Sequence, residues 1–142
     1  MKEIEKTIAL EGGYVCDPAD NGGETKFGIS KKAFPKVDIK NLTKEMAIEI
    51  YREHYWNKLH LDSYLNIQFR WKLFDIAVNQ GVGTAMSFIM LLQKPKDTQE
   101  AVWELAEMQM KRYINLVIGK PVLLRFLRGW GNRAFDLGED LV

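Results

Sequence analysis

Five of the eleven glycines of this chain fall between Gly12 and Gly28, and almost nowhere else does its apolar pattern leave the helical period. That contrast constrains the fold more than any other feature. Ile4 and Ile8 lie on one helical stripe that Glu11 continues, and Gly12-Gly13 then supplies residues able to take the left-handed backbone that follows many helix ends. Beyond it, Tyr14-Val15 and Thr25-Phe27-Ile29 read as extended segments separated by Asp17-Pro18 and Asn21-Gly22-Gly23, the turn chemistry of one small hairpin. The rest is helical. Ser30 caps a short helix that Pro35 closes, and Thr43 caps another carrying Met46, Ala47, Ile50, Tyr51 and His54. A third runs from about Asn66 to a stop at Gly81. Thr84 opens a helix that is apolar nearly all round and is therefore expected between others as the core helix. Asp97 and Glu100 form a capping box for a long helix to Gly119, and Pro121 starts a last one through Trp130. The predicted class is all-α with one small β-hairpin near the N-terminus.

Size limits the organisation further. With 142 residues, the chain is expected to be a single domain, its first part at 1–65 and a helical part at 66–142. A net charge of +1 gives no bulk attraction to nucleic acid, and no nucleic-acid-binding motif is present. One cysteine, Cys16, allows no internal disulfide, and with His54 and His60 it makes no zinc-ligand spacing, so no metal is expected. Two acids, Glu3 and Glu5, stand where a signal peptide would begin its apolar run, and no uncharged apolar stretch reaches membrane-spanning length. Synthesis in the cytoplasm, without a visible signal peptide or stable membrane insertion, is the expectation.

The chemistry is expected at Glu11. A glutamate before Gly-Gly is, by itself, usually a solvated surface residue. Here it continues a buried stripe, and partial burial disfavours the ionised form of a carboxyl group, which suits a general acid near neutral pH. Asp17, Asp20 and Thr25 follow in a turn-rich loop able to fold back over it. An acid, a second carboxylate and a hydroxyl are the components of glycoside hydrolysis: one carboxylic acid protonates the leaving oxygen while another carboxylate supports the charge developing on the sugar. Asp17 is better read as turn chemistry. The tryptophans read mainly as core, with Tyr14 or Trp71 as candidate sugar-stacking platforms. Lys111, Arg112, Lys120, Arg125, Arg128 and Arg133 occupy a stretch without Asp or Glu, read either as solvated helix faces or as attraction to an anionic polymer such as the cell wall.

The motifs Glu11-Gly12-Gly13-Tyr14, Asp17-Pro18, Gly22-Gly23-Glu24-Thr25 and Phe27-Gly28-Ile29-Ser30 resemble those of the glycoside hydrolase family 108 N-acetylmuramidases, lysozyme-like proteins of phages and Gram-negative bacteria, some named secretion activators. Leu42-Thr43, Ile50-Tyr51, Tyr55-Trp56, the stretch from Phe74 to Gly83, and Gly129-Trp130 with Asn132-Arg133 extend the likeness over nearly the whole chain. The resemblance implies a lysozyme-like fold, Glu11 as catalytic acid, peptidoglycan glycan strands as substrate and no cofactor. It also implies a holin as partner for export, with action on the wall after that or another non-classical route. The helical part resembles a peptidoglycan-binding segment, shortened at 93–97. A weaker similarity to bacteriophage-type lysozymes aligns Glu11 and Asp20 by spacing, while Thr25 comes one residue early. Three functions stay open: a muramidase, a lytic transglycosylase on the same substrate, and a non-catalytic wall-binding or secretion-helper protein. A zinc amidase is disfavoured by the lack of a ligand set.

Overall fold

The computed structural model describes residues 1–16 and 23–142, and their contacts divide the chain into two compact units, Met1–His54 and Tyr55–Val142. The second is mainly helical, while the first carries two α-helices, turns and the sheet.

In the first unit, α1 (Lys2–Glu11) buries Ile4, Thr7 and Ile8 on one face, together with Glu3. Gly12, at φ 85°, ends it. Three short antiparallel strands follow in the order β1 (Val15–Cys16), β2 (Glu24–Lys26) and β3 (Ile29–Ser30). Val15 lies opposite Thr25, Cys16 opposite Glu24, Thr25 opposite Ser30 and Lys26 opposite Ile29. The expected single hairpin is therefore a three-stranded sheet. Its extra turn falls at Phe27-Gly28, inside the segment read as continuously extended, where both residues have positive φ (53° and 78°). Two positive φ values are what a two-residue hairpin loop needs to match strand twist, and Gly supplies the second at no steric cost.

The helix expected after Ser30 forms only one turn. The Ser30 hydroxyl does accept from the Ala33 amide at 3.1 Å, but the chain moves into turns before Pro35. Proline disfavours the helical conformation in the residue before it, so the cap has no helix to extend. Thr43 behaves as expected and accepts from the Met46 amide to open α2 (Lys44–Tyr51). That helix passes into a π-helical turn, Arg52–Trp56.

In the second unit α3 (Ile67–Gln80) is the core helix, with Phe69, Trp71, Leu73, Phe74, Ile76 and Ala77 fully buried. Asn66 caps it by accepting from Phe69, and Gly81, at φ 100°, ends it. Two charged residues are buried on the same helix. Asp75 accepts two hydrogen bonds from Arg133, at 3.0 and 2.9 Å, and the Lys72 ammonium donates to the carbonyls of Arg133, Ala134 and Asp136. The last three carbonyls lie at the C-terminal end of α6 (Leu127–Phe135), so a buried lysine satisfies the acceptors that a helix end leaves open.

Helix α4 (Val82–Leu91) corrects the expectation drawn from its composition. Only Ala85 is buried, and Met90 and Leu91 are largely exposed. It packs on α3, as does α5 (Gln99–Gly119), and a groove of about 440 Å³ opens between α4 and α5. An apolar circumference does not by itself supply neighbours; here α3 and the short 3-10 turn Asn57–Leu59 pack on α4 and leave much of it open. The capping box at Asp97 is a second correction. Thr98 caps α5 by accepting from Ala101, while Asp97 accepts from the amides of Leu65 and Asn66 at 2.9 and 2.7 Å. Pro121–Phe126 is a 3-10 helix that packs against α5 and leads into α6. Trp130 stacks between Tyr113 and Phe126 at centroid distances of 4.9 and 5.7 Å.

Candidate active site

Glu11 is the last residue of α1, and the sheet turn is built against it. A Cβ placed on Gly28 would lie 2.8 Å from both Cβ and Cγ of Glu11, and 2.5 Å from the Tyr51 hydroxyl. No side chain fits there, so glycine at position 28 is required by the close approach as well as by its positive φ. The turn is held at both ends of one residue: the Phe27 amide donates to the Gly12 carbonyl at 3.1 Å, and the Phe27 carbonyl accepts from the Tyr51 hydroxyl at 2.6 Å. Glu11 is thus clasped by the helix stop on one side and the β2–β3 turn on the other. Its Oε1 is buried while the residue as a whole stays partly accessible. That combination, a positioned carboxyl group with an approach from solvent, is what proton donation to a bound substrate needs.

Tyr14, three residues on, presents an exposed ring. Its hydroxyl donates to Glu24 Oε1 at 3.0 Å, and this bond, with burial and Cys16 adding to it, pushes the phenol up to about 12. The hydrogen bond to Glu24 anchors one end of a side chain that is otherwise substantially exposed. Thr25 is the central residue of the middle strand, with Val15 and Ser30 directly opposite. A concavity of about 260 Å³ next to the end of α1 has Ile8, Ala9 and Phe27 in its wall, and Glu5 and Lys44, paired at 3.0 Å, at its edge. Lys44 holds the Glu5 carboxyl below the usual carboxylate range. Among the described residues no group of His, Cys, Asp and Glu could hold a metal ion.

The structure thus brings Glu11 together with the 27–28 turn, and places Tyr14 and Thr25 on the same small sheet region. Asp17 and Asp20 lie outside the described residues. Trp71 has no accessible surface, and Gly138 packs against its ring. This corrects its reading as a sugar platform: a tryptophan on the buried stripe of the core helix has no face to offer. Arg133, considered among the surface cations, is engaged with Asp75. Sequence reasoning passed over Tyr51 and Gly28 as site residues. The Phe-Gly pair between two β-prone segments was the available signal for the turn, but Phe in place of the usual Asn or Asp hides it.

A mainly helical fold that sets a helix-end glutamate against a small antiparallel sheet is that of a lysozyme-like protein. More particularly, this chain belongs to the glycosyl hydrolase 108 family, whose family model matches residues 4–81 and so covers Glu11, the sheet and α3. Among solved structures it is similar to that titled "Structure of Brucella abortus SagA", at 26% identity and a TM-score of 0.72, with 96% of this chain and 89% of that one covered. No curated protein matches the chain.

Proposed function

We propose that this protein is an N-acetylmuramidase that cleaves the β-1,4 bond between N-acetylmuramic acid and N-acetylglucosamine in peptidoglycan, with Glu11 as general acid. The observation that carries the reading is the seating of Glu11, within the matched family segment, at a helix end closed by the Phe27-Gly28 turn. In this scheme the Glu11 carboxyl gives its proton to the glycosidic oxygen as the carbon–oxygen bond breaks. A second carboxylate supports the positive charge developing on the sugar ring, and water then bonds to the anomeric carbon while its proton passes to a carboxylate, completing the hydrolysis. We assign the role of second carboxylate to Asp20 from its spacing to Glu11, and the exposed Tyr14 ring to sugar stacking.

Digestion of purified sacculi followed by mass spectrometry tests the reaction. A muramidase releases fragments ending in reducing N-acetylmuramic acid. Anhydro sugars would instead identify a lytic transglycosylase, and pelleting with sacculi without released fragments would identify a wall-binding protein. Asp20→Asn is expected to lower turnover while leaving the thermal transition in place, and wild-type turnover in that variant would remove Asp20 from the site.

A further inference from the structure

The sequence from Met108 to Phe135 carries six cations and no acid. Arg133 is withdrawn into its pair with Asp75, but Lys111, Arg112, Lys120, Arg125 and Arg128 all remain exposed. What composition alone did not show is that the apolar residues between them are exposed too: Ile118 at 72%, Val122 at 59% and Leu124 at 61% of their full accessible surface. They lie at the corner where the end of α5 meets the 3-10 helix Pro121–Phe126. The Arg125 guanidinium lies 4.7 Å from the centroid of the Phe126 ring, itself partly exposed. The groove between α4 and α5 extends along α5 as far as Leu116, two residues before Ile118, and is lined by Phe88, Leu91 and Met108 together with Lys111 and Arg112.

We propose that this corner and the groove along α5 form a docking surface for an anionic lipid bilayer, on which the protein lies without spanning it. A hydrated anionic polymer such as the cell wall would be attracted by the five cations but would gain nothing from exposed Ile118, Val122 and Leu124. A bilayer interface uses both features, taking apolar side chains at the boundary of the acyl chains while lipid phosphates meet lysine and arginine. No helix among the described residues is long and apolar enough to cross a membrane, which agrees with adsorption. The inference does not depend on the muramidase reading, since it uses no residue of the Glu11 site.

Co-sedimentation of the full chain with vesicles tests it. Vesicles of phosphatidylcholine with about one-third phosphatidylglycerol should pellet the protein, pure phosphatidylcholine vesicles should not, and added salt should weaken the binding. Val122→Ser with Leu124→Ser, and separately Lys120→Glu with Arg125→Glu, should each weaken binding about tenfold or more. All four positions are exposed, so both variants should melt with the wild type. Failure to pellet with anionic vesicles overturns the proposal. So does vesicle binding that the two serines leave unchanged, which would reduce the surface to simple charge attraction. Binding to sacculi but not to vesicles would assign the cations to the wall, and a solution dimer that the serine variant dissociates would assign the patch to a second copy.

Discussion

Asp75 and Glu11 are both helix-borne carboxylates with buried oxygen, one in each unit, yet their settings have little in common. Asp75 sits in the middle of α3 without any exposure, and Arg133 meets both of its oxygens in a two-pronged pair. Glu11 is the final residue of α1, partly accessible, and what presses on it is a glycine turn. An acid held mid-helix by a bidentate arginine is part of the packing around it. An acid at a helix end, with part of its surface open to solvent, can meet a bound molecule. The difference separates a carboxylate that holds the fold from the one proposed above as the general acid.

The largest expected effect breaks the first setting. Arg133→Met removes both of the arginine's hydrogen bonds to the buried Asp75 carboxylate and should cost about 3–5 kcal/mol, read as a lower urea midpoint, whereas Asp75→Leu with Arg133→Met should recover most of it. Retained stability in the single variant would mean that Asp75 is not the structural acid described here. Next is Gly28→Ala, where a methyl group must occupy space already filled by Glu11 and Tyr51 at a positive φ. A loss of about 1–3 kcal/mol is expected, with a fall in sacculus digestion even at temperatures where the variant is fully folded. A variant as stable and active as wild type would loosen the clasp around Glu11.

The smallest effect concerns Tyr14 and depends on pH. Its phenol is pushed up to about 12, first by donation to Glu24, so the folded state keeps this proton where an unfolded chain loses it. The contribution is fully present below the ordinary tyrosine value of about 10 and is lost as pH rises through the folded value. Glu24→Gln should bring the Tyr14 ionisation down towards the ordinary range, seen as an earlier rise in the ultraviolet titration. Superimposable titrations of the two proteins would show that Glu24 does not hold the ring.

What could be read from the sequence was local. Thr43, Asn66, Gly12 and Gly81 act within one turn of themselves, so their caps and stops are written in neighbouring residues. The placement of Glu11 at a helix end followed from the same kind of evidence. Features that depend on distant partners were not legible. The apolar circumference of α4 gives no information on how many helices will cover it, and the Asp75–Arg133 pair joins residues 58 positions apart. The Asp97 carboxylate turns to the amides of Leu65 and Asn66, some thirty positions away, and leaves the α5 cap to Thr98. Trp71 shows the same limit, since an aromatic at helical spacing fits a core and a sugar platform equally until its neighbours are known.

The central claim is that Glu11 donates the proton that cleaves the glycan, and release of soluble fragments from purified sacculi by Glu11→Gln beside wild type tests it most directly. The account predicts no fragment release above the protein-free control, with unfolding free energy kept within about 1 kcal/mol of wild type, because the amide preserves the shape that Gly28 and Tyr51 enclose. Continued cleavage by the purified, folded Glu11→Gln protein would contradict it.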